Sequence, residues 1–102
     1  MKNGIYTEID TIYSGDIERR DITPSDVIGT RCFYGFSPSD ALSAAVNHLG
    51  YRRGIITAAS GKGFIVFLED NHGSSVADYI VPIRNGNAEP LRRRLLRRNI
   101  AS

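Results

Sequence analysis

The sequence predicts an α+β fold in two layers, with an antiparallel sheet of about five to six strands packed on one main helix. Runs rich in β-branched and aromatic residues recur along the chain, and the connections "SGKG" (60–63) and "DNHG" (70–73) are short enough for antiparallel hairpins. Residues 38–49 combine a helix start with apolar residues at helical spacing. These elements favour a helix that covers one face of an antiparallel sheet.

The composition indicates one soluble domain. The chain has 102 residues, of which 41% are apolar and 24% charged, as in ordinary globular proteins. The lone Cys32 cannot form an internal disulfide, and we find neither an apolar signal region nor a run of roughly 20 apolar residues. We therefore expect a cytosolic protein without a membrane span.

The net charge of +2 is unevenly distributed along the chain. Residues 1–88 contain 8 Lys or Arg against 10 Asp or Glu, whereas residues 89–102 contain 5 Arg against the single acid Glu89. We therefore divide the chain into a mildly acidic domain, 1–88, and a basic C-terminal segment, 89–102. Such an asymmetry bears on the choice of partners rather than on the fold.

Residues 5–22 predict a β-hairpin. Residues 5–13 alternate between two faces, "SGD" (14–16) is typical of a turn, and residues 17–22 can return as a second strand. Because an exposed strand edge can pair with a second chain, this hairpin and a predicted edge at Pro82 are the two candidate seams of a homodimer.

Two similar phrases, "TPSD" (23–26) and "SPSD" (37–40), predict helix starts. In each, a hydroxyl side chain can accept from the first backbone N–H groups of a helix, Pro takes the first helical position, and an acid follows three residues after the cap. The second phrase begins the main helix, 38–49, which Gly50 should end in a left-handed conformation. The first predicts a short helical turn, 24–28. A tandem ligand motif is the alternative.

Four further strands are predicted, at residues 30–36, 54–59, 63–69 and 75–83. The run "FIVFL" in the third of these is apolar at every position and therefore predicts a central strand covered on both faces. Pro82 cannot donate a hydrogen bond to a neighbouring strand, which places the last strand at an edge.

The C-terminal segment predicts a basic amphipathic helix or tail. After a polar linker at 84–90, a helix is predicted over about 90–99. One half of its helical wheel is apolar and the other is basic; the residues are Leu91, Leu95, Leu96 and Ile100 on the first, Arg93, Arg94, Arg97 and Arg98 on the second, and Arg92 within the apolar arc. Three alternatives stay open: the segment binds nucleic acid, folds on an acidic protein or membrane surface, or packs its leucines on the domain's own sheet.

Residues that commonly carry catalysis or bind metals are sparse. "GIITAASGKG" (54–63) lacks the spacing of a phosphate-binding loop, and His48, His72 and Cys32 do not have the spacing of a zinc site. A Cys32–His48 nucleophile pair stays open, because such partners are brought together only by the fold. We predict no catalytic residue, no metal site and no cofactor, and we do not expect an enzyme.

Cations outside the C-terminal segment are the other candidate binding residues. Arg52 and Arg53 follow the main helix, and Lys62 lies at the tip of a predicted turn, where each can contact an anion or a protein partner. The run "RCFYGF" (31–36) is similar to strands on which single-stranded bases stack, although one buried face and one surface face is the commoner arrangement.

The stretch "FSPSDALSAAVNHLGYRRGIITAASGKGFIVFLED" (36–70) resembles the layout of small phage-encoded inhibitors, including some anti-CRISPR proteins. In these a strand leads through a capped, Ala-rich helix into an antiparallel sheet. The resemblance covers about a third of the chain, and no functional residue is carried over from it. It implies a non-enzymatic protein that blocks a host defence nucleoprotein by occupying a partner or nucleic-acid surface.

We therefore predict a non-enzymatic macromolecule-binding protein, an inhibitor encoded by a mobile element that acts on a protein or nucleoprotein partner. The alternative is a nucleic-acid-binding module that uses Arg92, Arg93, Arg94, Arg97 and Arg98. The two differ in salt dependence: binding to phosphates weakens steeply as salt rises, whereas an interface with an apolar centre depends less on salt.

Overall fold

The computed structural model describes Tyr6 and residues 10–83. The elements of this part are β1 (Ile12–Tyr13), α1 (Gly15–Glu18), α2 (Pro24–Val27), β2 (Arg31–Gly35), α3 (Pro38–Val46), a 3-10 helix (Gly50–Arg52), β3 (Arg53–Ser60), β4 (Gly63–Leu68), β5 (Ser74–Ala77) and β6 (Tyr79–Pro82). The strands form one sheet in the order β1-β6-β2-β3-β4-β5, and every neighbouring pair is antiparallel. The predicted α+β class with an antiparallel sheet is confirmed.

Both predicted helix starts are present. At α2 the backbone N–H of Thr23 donates to the carboxylate of Asp26 at 2.9 Å, and at α3 the hydroxyl of Ser37 accepts from the N–H of Asp40 at 3.1 Å. A proline occupies the first turn of each helix. The repeated phrase is therefore helix-start chemistry.

α3 ends earlier than predicted. Asn47 is its C-cap, His48 takes the left-handed conformation with φ at 54°, and Gly50 instead begins the 3-10 helix. The N–H of His48 donates to the carbonyl of Ala45, and the next N–H donates to that of Ala44. These two bonds form a Schellman motif, and they satisfy carbonyls that the end of the helix leaves without partners.

The predicted hairpin at 5–22 is wrong: among the described residues its first strand is limited to Ile12–Tyr13, and its second strand is not formed. Residues 15–18 form α1 rather than a return strand, and Asp16 is buried there. β1 pairs with β6, at the far end of the described chain, and not with a sequence neighbour. The turn chemistry at 14–16 therefore begins a helix, and residues 5 and 7–9 of the predicted first strand lie outside the described part.

The predicted strand 75–83 is two strands. Asp78 separates β5, which pairs with β4, from β6, which pairs with β2 and β1. β5 is the edge strand at one end of the sheet, and β6 is the second strand from the other end. Because a single residue connects them, the sheet must curl back on itself into a partly closed barrel. The contact between β4 and β6 is consistent with this curvature.

Pro82 does not mark an edge, contrary to the prediction, because β6 lies between β1 and β2. The N–H of Ile83 donates to the carbonyl of Arg31, so the adjacent pair, Pro82 and Cys32, is a non-hydrogen-bonded one. The nitrogen of Pro82 therefore points away from β2 and disrupts no bond to that strand. β6 is therefore not the exposed sheet edge on which the predicted dimer seam at Pro82 depended.

Two apolar clusters occupy the two sides of the curled sheet. The inner cluster contains the buried side chains Ile12, Ile22, Val27, Cys32, Tyr34, Ile56, Phe64, Val66, Ala77 and Ile80. On the outer side, Phe33 and Val81 lie beneath the small residues Ala41, Ala44 and Ala45 of α3, together with Tyr6. β2 and β6 are therefore covered on both faces.

Among the described residues β4 is covered on one face alone, whereas the run "FIVFL" had predicted a strand covered on both. Phe64 and Val66 are buried, but Ile65 and Phe67 are 39% and 40% exposed. The reason is the position of α3, which packs over β2 and β6 and leaves the outer side of β3, β4 and β5 open.

Candidate functional site

Arg52 lies where the end of β2 meets the start of α3. The 3-10 helix follows α3 and brings its last residue back to the first turn of that helix. There Nη1 of Arg52 donates to Oδ2 of Asp40 at 2.8 Å and lies 3.5 Å from the carbonyl oxygen of Tyr34. The acid that favours the start of α3 thus also holds a cation.

Three aromatic rings surround this guanidinium group. Its central carbon lies 5.0 Å from the ring centre of Phe36, 5.3 Å from that of Tyr34 and 5.9 Å from that of Tyr51. These distances allow cation–π attraction, which adds to the ion pair. We call Tyr34, Phe36, Asp40, Tyr51 and Arg52 the arginine–aromatic cluster.

The arginine–aromatic cluster is anchored on one side and open on the other. Tyr34 is buried and contacts Phe36 edge to face, with ring centres 5.9 Å apart. Phe36 and Tyr51 are 56% and 58% exposed. In the part of the chain that the structure describes, the side chain of Arg52 uses Nη1 alone in its hydrogen bonds, so Nε and Nη2 remain available as donors.

Hydrogen bonding stabilises the ionised form of Asp40. The backbone N–H of Phe36 donates to its carboxylate at 2.9 Å, and this bond, followed by that from Arg52, lowers the pKa of Asp40; partial burial opposes the change. At neutral pH the carboxylate is therefore charged and holds the guanidinium group between the rings.

The other predicted cations do not join this cluster. Arg31 and Arg53 both bind Glu69, each with Nε at 3.0 Å from a carboxylate oxygen, and the hydrogen bond from Arg31 contributes most to the lowered pKa of Glu69. Lys62 lies in the turn at the other end of β3 from Arg52, without an ion pair among the described residues. Arg52, Arg53 and Lys62 are therefore not brought together as one anion site.

The arginines of the basic segment, Arg92, Arg93, Arg94, Arg97 and Arg98, lie outside the described residues, as do the predicted linker and C-terminal helix.

Stacking of nucleic-acid bases along residues 31–36 is contradicted. Phe33 lies beneath α3 and Tyr34 is buried against the inner cluster, which leaves Phe36 as the exposed ring of the run. The sequence prediction included Arg52 but missed Tyr51 and Asp40 as its partners. Tyr51 is accounted for locally as a loop residue, and Asp40 as the acid of a helix start. No local sequence pattern indicates that the two lie beside Arg52.

The Cys32–His48 nucleophile pair is also contradicted. Cys32 is fully buried in the inner cluster, whereas the exposed ring of His48 contacts Phe33 on the outer side of β2, with ring centres 6.2 Å apart. Burial raises the pKa of the Cys32 thiol far above its usual range, so the thiolate that a nucleophile needs is not formed.

Two apolar surfaces lie apart from the arginine–aromatic cluster. The first, which we call the open face, consists of Ile55, Ile65, Phe67 and Val76 on β3, β4 and β5. The second is a groove of about 520 Å³ lined by Thr11, Tyr13, Pro38, Ser39, Leu42 and Tyr79. Within residues 10–83 and Tyr6 we find neither a group of side chains suited to a metal ion nor a helix long and apolar enough to cross a membrane.

Comparison with protein-family models, curated proteins and solved structures found no match to this chain. The resemblance to phage-encoded inhibitors therefore stays a prediction.

Proposed function

We propose that this chain is a non-catalytic binding protein whose arginine–aromatic cluster forms the centre of its contact with a partner protein. The observation that carries the proposal is the pair of exposed rings, Phe36 and Tyr51, beside an arginine fixed by Asp40. Aromatic residues and arginine dominate the energetic centres of protein interfaces.

Pre-organisation favours this use of the cluster. Phe36 is held by its contact with Tyr34, and Arg52 is held by Asp40, so both lose less conformational freedom when a partner binds. The unused N–H groups of Arg52 suit a backbone carbonyl or a carboxylate at the edge of an apolar contact. A protein surface with a pocket for aromatic rings and an acceptor beside it is the complementary partner.

We carry forward the prediction that this partner belongs to a protein or nucleoprotein complex of a host defence system, and that the chain inhibits it. The stretch 36–70 that resembles phage-encoded inhibitors includes Phe36, Asp40, Tyr51 and Arg52. The alternative, direct binding of nucleic acid by the arginines of residues 89–102, is an outcome of the same experiment.

Site-specific photo-crosslinking tests the proposal. A photoreactive phenylalanine analogue would replace Tyr51 in the tagged full-length chain, and the same analogue at Ile28, exposed on α2's C-cap, would be the matched control. In nuclease-treated bacterial lysate we expect a discrete protein adduct from position 51, absent from position 28 and lost in Phe36→Ala. Equal adducts at both positions, or capture that requires intact nucleic acid, would refute the proposal; the second result would favour the nucleic-acid alternative.

A further inference from the structure

The open face is a continuous apolar area on the sheet. Ile55 pairs directly with Phe67, and Ile65 pairs directly with Val76, so that all four side chains project from the same side of three neighbouring strands. Their exposed fractions range from 37% to 61%. Large apolar side chains grouped in this way usually contact another element.

The open face adjoins the area covered by α3. Phe33, which α3 covers, pairs with Arg53, and Arg53 is two residues from Ile55 on the same face of β3. The outer layer therefore covers β2 and β6, two of the six strands. The three strands on the other side of β2, namely β3, β4 and β5, are about 10 Å across, which matches the width of one helix.

We propose that residues 89–102 of the same chain occupy the open face, beside α3. The predicted helix in this segment has an apolar half, Leu91, Leu95, Leu96 and Ile100, and needs an apolar surface to stabilise it. The open face supplies that surface. With the leucines against the sheet, the basic half of the segment faces solvent, which suits its charge.

The length of the chain permits this arrangement. The described part ends at Ile83, whose N–H donates to the carbonyl of Arg31; Arg31 pairs with Ile55, and Ile55 with Phe67. Ile83 is therefore three strand spacings, about 14 Å, from Phe67. The linker 84–90 can extend to about 23 Å, so the segment reaches the face without strain.

Cysteine crosslinking tests the proposal in the full-length chain. The variant Val76→Cys/Leu95→Cys places one thiol on the open face and one on the apolar half of the segment. Val76→Cys/Arg93→Cys is the matched control, with the second thiol on the basic half. Cys32, being buried, does not compete. We expect the first pair to form an intramolecular disulfide roughly tenfold faster than the control, because docking raises its effective concentration.

Mixed ¹⁴N- and ¹⁵N-labelled protein distinguishes the other possible occupants. A disulfide that joins the two labels would overturn the proposal in favour of a second copy on the open face. Equal rates for the two cysteine pairs would overturn it in favour of an undocked segment or one bound elsewhere, such as the groove.

Methyl NMR provides a second test without added cysteines. Leu95→Glu/Leu96→Glu should shift the methyl signals of Ile55, Ile65 and Val76 independently of protein concentration, and Arg93→Glu/Arg94→Glu should shift them much less. Unchanged signals in the first variant would overturn the proposal. None of these measurements depends on the partner protein, so their failure is distinct from failure of the proposed function.

Discussion

Asp40 links the start of α3 to Arg52, which follows the end of the same helix. Its Oδ2 accepts from the backbone N–H of Phe36 at 2.9 Å and from Nη1 of Arg52 at 2.8 Å. One carboxylate therefore orients an exposed ring and a cation, and it does so as part of a common helix start. Asp40 therefore both stabilises the start of α3 and binds Arg52.

Asp40→Asn should lower the free energy of unfolding by about 0.5–1 kcal/mol, the usual range of a partly exposed ion pair. The asparagine oxygen can still accept from Phe36, but the charge that holds Arg52 is lost. Urea denaturation measures the effect, with Asp70→Asn, an exposed acid in a turn, as the control. Equal stability of the two variants would contradict the assigned role of the ion pair.

The free energy of unfolding should decrease in acid, below about pH 4. Asp40 and Glu69 have lowered pKa values in the folded state, so their stabilisation is present above the unfolded pKa and is lost as the pH falls through the folded pKa. Asp40→Asn/Glu69→Gln removes both titrations. Its urea midpoint should therefore vary less with pH than that of the wild type, and a parallel pH profile would contradict the prediction.

His48 should be replaceable by Gly with less loss of stability than by Ala. Both variants lose the contact with Phe33, but only Ala keeps a Cβ in the left-handed conformation. We expect the Gly variant to be more stable than the Ala variant by about 1 kcal/mol, the cost of that conformation. Thermal and urea unfolding of the pair compare them directly; the opposite order would show that the Schellman motif does not end α3.

Cys32 should resist thiol reagents in the folded protein. It is fully buried and its pKa is raised, so at pH 8 reaction should require opening of the structure. The colour released by an aromatic disulfide reagent measures the rate, with urea-unfolded protein as the reactive control. Rapid stoichiometric reaction of the native protein would contradict the burial.

β2 and β6 should be sensitive to truncation on both faces. Phe33→Ala, beneath α3, should cost about 3–5 kcal/mol, and Ile80→Ala, in the inner cluster, about 2–5 kcal/mol. Ile28→Ala, at an exposed position, should have little effect by comparison. Urea denaturation gives the three values, and a small loss for either core variant would show that its face is not covered.

The sequence predicted the helix starts and three of the strands, because these depend on interactions between residues close together in the chain. The cap and proline at Thr23–Pro24 and at Ser37–Pro38 act within one turn, so the sequence shows them directly. The strands at 31–35, 53–60 and 63–68 follow from their β-branched and aromatic residues. The polar residues at 14–16 do not distinguish a hairpin turn from a helix start, because both structures use the same residue types.

Long-range pairing decided the rest. No glycine or proline separates β5 from β6; Asp78 lies where the chain changes from pairing with β4 to pairing with β2. Likewise, the apolar run of β4 does not reveal which of its faces α3 leaves open.

The sequence by itself determined the helix starts, the antiparallel α+β class and the uneven charge, because each depends on neighbouring residues or on composition. Tertiary structure alone decided that Asp40, Tyr51 and Arg52 meet beside Phe36. That meeting depends on the turn of the chain between α3 and β3 and on the end of β2. These residues become neighbours only when the strands pair and the core packs, and no local sequence pattern specifies that pairing.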